Sequence, residues 1–163
     1  MRMFCVAVIA LGAAANSYAE LRADTASRTC AVIKDTGLAG GAWTERKTGE
    51  WSCISQLQLV DPAKPEGDSL QFMGEGQADQ VKRVKLVLNM VQAKASKSST
   101  ALLVKAAQRL SIRTLGQSLP PALHSAIAAG VPAKAYNVGT GKITVTSSSG
   151  TSNTGYALQV SIE

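Results

Sequence analysis

The segment QVKRVKLVLNM, Gln80 to Met90, admits two readings, and the choice between them decides the fold. Read as a strand, it sends Val84, Leu86, Leu88 and Met90 to one side, and Arg83, Lys85, Val87 and Asn89 to the other. Read as a helix, it aligns Val84, Val87, Leu88 and the following Val91. The alternation from Lys82 to Met90 and the wealth of valine favour the strand. A half-buried strand then lies near the middle of the chain.

Upstream, ADTASRTCAVIKDTGL (residues 23–38) has helical spacing, with Asp24 or Thr25 as N-cap and Gly37 as its stop. GGAWTERKTGEW (40–51) reads as a polar turn region. WSCISQLQLV (51–60) alternates, with Trp51, Cys53, Leu57 and Leu59 on one face of a strand. Two prolines and a glycine break the chain in DPAKPEGD (61–68). SLQFMGEG (69–76) gives a short strand with Leu70 and Phe72 inward, and its Gly74-Glu75-Gly76 reads as a turn.

Downstream, SKSSTALLVKAAQRLSIRTLG (96–116) is a helix capped by Ser98 or Ser99 and ended by Gly116. Leu102, Leu103, Ala106 and Leu110 form its apolar stripe. A shorter helix is expected in SLPPALHSAIAAG (118–130), with Ser118 as cap and Leu119, Leu123 and Ile127 inward. GKITVTSSSGTSNTGYALQVSIE (141–163) resembles a hairpin in pattern. The expected fold is therefore α+β: two layers, an antiparallel sheet of about five strands with helices on one face, in the order α-β-β-β-α-α-β-β.

Export is expected from the first residues. Arg2 precedes an apolar run from Phe4 to Ala15, and Ser17-Tyr18-Ala19 gives a small-x-small cleavage pattern. The run is too short for a transmembrane helix, which needs about 20 residues. Residues 1–19 thus read as a signal peptide and 20–163 as a single domain, periplasmic or secreted after cleavage near Ala19, with no transmembrane segment. Cys5 leaves with the leader. Cys30 and Cys53 remain as an even pair, which in an oxidising compartment implies a disulfide worth roughly 3–3.5 kcal/mol. With 45% apolar and 17% charged residues, the chain can build a core and does not have the composition of a disordered one.

Catalytic constellations are sparse. The single histidine, His124, has Asp79 and Glu163 as its nearest carboxylates in sequence, which does not suggest a nucleophile-base-acid triad. Two thiols and one histidine are too few for a zinc site. Gly139-Thr140-Gly141 lacks the lysine spacing of a phosphate loop. No cofactor or metal is expected. The enzymatic alternative is a small envelope hydrolase using carboxylates of the N-terminal half, Glu50 or Glu75.

Charge carries the strongest signal. Residues 20–79 hold ten carboxylates and six basic side chains, whereas residues 80–163 hold ten basic side chains and a single carboxylate, Glu163. Lys97, Lys105, Arg109 and Arg113 line one side of the long helix, where like charges at i, i+4 repel by a few tenths of a kcal/mol per pair. Three sources could supply the missing negative charge: the chain's own acidic half, an acidic protein partner, or an anionic envelope component. Nucleic acid is not an expected partner, because export separates the two and aromatics for base stacking make up only 4% of the chain. The sequence thus points to a non-catalytic binding or accessory protein that meets an acidic partner through a basic face. One concrete form is an inhibitor or immunity protein. The candidate contact residues are Lys105, Arg109, Arg113, Arg83, Lys85 and Trp43, the last being either a contact or a cover over a core edge.

Overall fold

The computed structural model describes residues 21, 25–92, 95–149 and 155–163. The expected leader, residues 1–19, and the Asp24 cap candidate lie outside the described residues. The elements run α1 (Ala26–Cys30), a 3-10 turn (Lys34–Thr36), β1 (Thr44–Lys47), β2 (Glu50–Ile54), β3 (Gln58–Leu59), β4 (Ser69–Gln77), β5 (Gln80–Met90), α2 (Lys97–Leu115), α3 (Pro121–Ala129), β6 (Ala133–Val138), β7 (Gly141–Ser149) and β8 (Tyr156–Ile162). The class is α+β, with three helices and one antiparallel sheet of eight strands.

Gln80–Met90 is a strand, and it lies at the centre of the sheet order β1-β2-β4-β5-β8-β7-β6, with β3 pairing only β4. Its register places Leu86 between Phe72 and Val160, and Leu88 between Leu70 and Leu158. These side chains are fully buried, as are Val84, Ile143 and Ile162 of the same face. Leu103, Ala106, Ala107 and Leu110 of α2, with Leu123 and Ile127 of α3, close over that face. The opposite face carries Gln71, Lys85, Val87, Gln159 and Ser161, all half-buried, and none of the helices among the described residues packs upon it. An antiparallel sheet tolerates this arrangement, with one face dry and one wet.

The expected five strands become eight, for identifiable reasons. β1 and β6 end the sheet on either side, and nearly every residue in both is exposed or half-exposed. A strand wet on both faces has no apolar period to read, so TERK hid within a supposed turn region and AKAYNV was not foreseen. The expected strand over residues 51–60 breaks instead after Ile54, and Leu57 is exposed rather than inward. The expected helix over 23–38 is only a five-residue helix followed by the 3-10 turn. Caps shift too. The Ser96 hydroxyl, not that of Ser98 or Ser99, accepts from the Ser99 amide at 3.1 Å, and Pro120 takes the place expected of Ser118. Gly116, in the left-handed conformation at φ 68°, does end α2.

Cys30 and Cys53 form a disulfide, Cα to Cα 5.9 Å, joining the end of α1 to the inward side of β2. Its seat explains the glycines that resembled a turn. Gly74 lies within β4 directly opposite Cys53, and a Cβ there would stand 3.0 Å from the Cys53 sulfur. On the other side, a Cβ on Gly40 would meet the Cys30 carbonyl at 2.8 Å and the same sulfur at 3.1 Å. Both glycines leave room for the bridge. Turn composition and a close approach look alike in sequence.

Reduction of the bridge, or the paired change Cys30→Ala with Cys53→Ala, is expected to cost about 3 kcal/mol in denaturant titrations. Gly74→Ala is expected to destabilise the oxidised protein by about 1–3 kcal/mol, because the added methyl overpacks against the sulfur. An unchanged denaturation midpoint in the reduced protein would remove the bridge from the account of stability.

Candidate functional site

The sequence-derived contact residues divide between two sides of the molecule. Lys105, Arg109 and Arg113 share the outer side of α2, whereas Arg83 and Lys85 belong to β5, with Lys85 on the wet face of the sheet. Trp43 is elsewhere again. Half-buried, it packs against the core, and its indole Nε1 donates to the Ala78 carbonyl at 3.1 Å across the mouth of the β4–β5 turn. These contacts suit a cover over a core edge, and the indole remains partly in solvent.

Several of these cations meet carboxylates of the chain itself. The 3-10 turn after α1 brings Asp35 against the C-terminal part of α2. Arg113 holds it with two bonds, Nη1 to Oδ1 at 2.7 Å and Nη2 to Oδ2 at 3.0 Å, while Arg109 approaches at 3.5 Å. Arg113 also donates to the Val32 carbonyl. An acid from the opening segment thus offsets the repulsion between two like-charged neighbours on the helix. On the sheet, Glu75 accepts from Lys85 at 2.6 Å and lies 4.0 Å from Arg83. Glu163 takes Arg83 at 2.7 Å through Oε2 and Lys142 at 3.1 Å through Oε1.

Glu163 is the hub that the sequence did not reveal. Its carboxyl titrates below the ordinary glutamate range, because the hydrogen bond from Lys142 and then that from Arg83 favour the charged form over a smaller opposing cost of burial. The signal could have been sought in its position as the lone acid of the second half. Asp68 is a second unforeseen residue. Its carboxylate accepts from the Val91 amide at 3.0 Å and from the Ser99 hydroxyl, tying the end of β5 to the first turn of α2.

What stays open on the helical side is a shallow groove between α2 and α3. Lys97, Ala101, Val104, Lys105, Arg109 and Ile112 line it from α2, and His124 and Ala128 face them from α3. Ile112 is 45% exposed, unusual for so large an apolar side chain on a packed helix. Among the described residues, no carboxylate lies within ion-pair reach of Lys97 or Lys105. Val104, Gln108 and Ile112, at i, i+4 and i+8 beside the basic row, are the pattern from which the groove could have been inferred. Neither carboxylate of the hydrolase alternative lies in it: Glu50 opens β2, fully in solvent, and Glu75 is engaged by Lys85. Among the described residues, no three His, Cys, Asp or Glu side chains gather as a metal-binding set, and no helix is long and apolar enough to cross a membrane.

Fold and surface together define a disulfide-bonded α+β two-layer protein with a basic, partly apolar helical groove. The model of the family of unknown function DUF6030 matches residues 9–143, most of the chain, and the chain belongs to that family. No curated protein and no solved structure matches it.

Arg113→Ala is expected to lower unfolding free energy by about 1 kcal/mol, since it strips a bidentate partner from Asp35. Lys105→Ala is expected to stay within about 0.5 kcal/mol of wild type. The Glu163 carboxyl, lowered in the folded state, adds stability that is present above the unfolded glutamate value and is lost as pH falls through the lowered one. Thermal midpoints followed down through the carboxylate range should therefore fall less steeply in Glu163→Gln than in wild type.

Proposed function

We propose that this protein is an exported, non-catalytic binding or accessory protein of the bacterial envelope, and that an acidic protein partner docks in the α2–α3 groove. An inhibitor or immunity protein, which acts by covering a partner's surface and needs no chemistry of its own, is the concrete form of this reading. One observation carries it: Lys97 and Lys105 have no carboxylate within reach among the described residues, and the groove that they flank exposes Ile112. Apolar surface rimmed by unmatched charge is the pattern of an interface core with its steering rim. Arg109, held to Asp35 only at 3.5 Å, can turn toward a partner at small cost. Arg113 is held more closely by Asp35, and Arg83 and Lys85 belong to the sheet rather than to this groove.

The occupant is a segment carrying Asp or Glu with aliphatic side chains between them, so that charge meets the lysines while apolar atoms cover Ile112 and Val104. Export is supported by the leader pattern at residues 1–19, and a disulfide is consistent with an oxidising compartment.

The test uses immobilised mature protein, envelope extract, and a synthetic acidic amphipathic peptide as both probe and competitor. Wild type should capture a partner at low salt, lose it at high salt, and lose it to the peptide. Lys97→Glu with Lys105→Glu should weaken capture by about tenfold or more with the melting temperature unchanged. Peptide binding indifferent to the double reversal would refute the groove as the contact surface.

A further inference from the structure

The wet face of the sheet ends in a second concave surface. The β4–β5 turn and the β6–β7 turn flank a cleft of ≈ 950 Å³, near the upper end of the volumes typical of small-molecule sites. Its polar groups converge. Lys82, Arg83 and Lys142 reach it with Glu75 and Glu163, and the Asn137 amide and Thr140 hydroxyl stand on the facing wall.

We propose that this cleft binds a phosphoryl group carried by a small polyol. The bonding inventory argues for it. Arg83 spends Nε and Nη2 on Glu163, but its Nη1 is 4.0 Å from Glu75, too far for a hydrogen bond, so that edge of the guanidinium keeps its donors. Lys142 Nζ makes one hydrogen bond, to Glu163, and has further N–H groups to give. Lys82 sits where the β4–β5 register slips and, among the described residues, has no carboxylate partner.

Charge balance gives the same answer. With Lys85, which satisfies Glu75 from outside the cleft, four side-chain cations stand with two carboxylates at the cleft, and Asp79 lies exposed at the tip of the β4–β5 turn. A net positive lining of this kind suits a phosphoryl anion, whether a monoester or a singly charged diester. Glu163 holds Arg83 through Nε and Nη2, which fixes the guanidinium before a ligand arrives. Asn137 and Thr140 suit hydroxyl groups beside the phosphate. A phosphoryl polyol can come as a free solute or as the headgroup of an anionic lipid, and the same donors would read both.

The probes are sn-glycerol 3-phosphate, glycerol as the uncharged control, and vesicles of phosphatidylglycerol or phosphatidylcholine, with full-length mature protein. Calorimetry and amide NMR shifts give the readout. Glycerol phosphate should bind and shift Gly139, Thr140 and Gly141, and glycerol should not. Lys82→Ala, on an exposed side chain without a partner, should weaken binding by about tenfold, as should Thr140→Ala with Lys142→Met. Lys105→Ala, on the helical side, should leave it unchanged. Binding only to phosphatidylglycerol vesicles, lost in the same variants, supports the proposal with the lipid as source. No binding by either probe, or binding equally reduced by Lys105→Ala, overturns it.

Discussion

The alternation of β5 constrains everything around it. A strand at the centre of a sheet must send successive side chains to opposite sides, and this strand puts only apolar groups on one side and mostly polar ones on the other. The helices can therefore cover only the face of Val84, Leu86, Leu88 and Met90. A slip of one residue in its pairing would bury Arg83 and Lys85 beneath α2, at a cost far above any contact that the slip could gain. The two-layer form follows, with one face left wet. So does the separation of the basic residues onto two sides of the molecule, because α2 and the polar face of β5 lie across the core from each other.

The disulfide adds a second, local constraint. α1 buries only Thr29 and Cys30 and the 3-10 turn nothing, while Ile33 and Leu38 on either side of that turn enter the core. Alone, so short a helix would be marginal in water. Tied to the inward side of β2, the segment is held against the core, and Asp35 is thereby brought to the end of α2. The cross-link thus helps to hold Asp35 within reach of Arg113.

How much of this was legible depended on which residues were asked to be inside. β5, α2, α3 and the cysteine pair could be read, because burial leaves a period in the sequence and a bridge leaves an even count. Edge strands such as β1 and β6 bury little, so propensity has nothing to act on. Glycines 40 and 74 carry information about a neighbour distant in sequence, and no local pattern reveals it. The basic residues could be counted, but not assigned to partners. Asp35, Glu75 and Glu163 meet their cations across folds of the chain, from Arg83 with Glu75 in adjacent strands to Arg113 with Asp35, 78 residues apart in sequence.

The acidic half meets the basic half through a small set of shared ion pairs. Three carboxylates, Asp35, Glu75 and Glu163, are shared among five cations, Arg83, Lys85, Arg109, Arg113 and Lys142. Each is used twice, so matching is geometrically good and electrically incomplete. Lys82, Lys97, Lys105 and Lys134, the last on the edge strand β6, remain outside it among the described residues. The surplus is divided: Lys97 and Lys105 lie on the outer side of α2, and Lys82 lies at the end of the sheet. A helix is itself about 10–12 Å across, and charges further apart than about 10 Å are largely screened at 0.1 M salt. Each surplus therefore acts on its own surroundings, and neither can relieve the other. Ion pairing within the chain thus shares a few acids among several cations on both sides of the molecule, and it leaves these lysines standing in solvent.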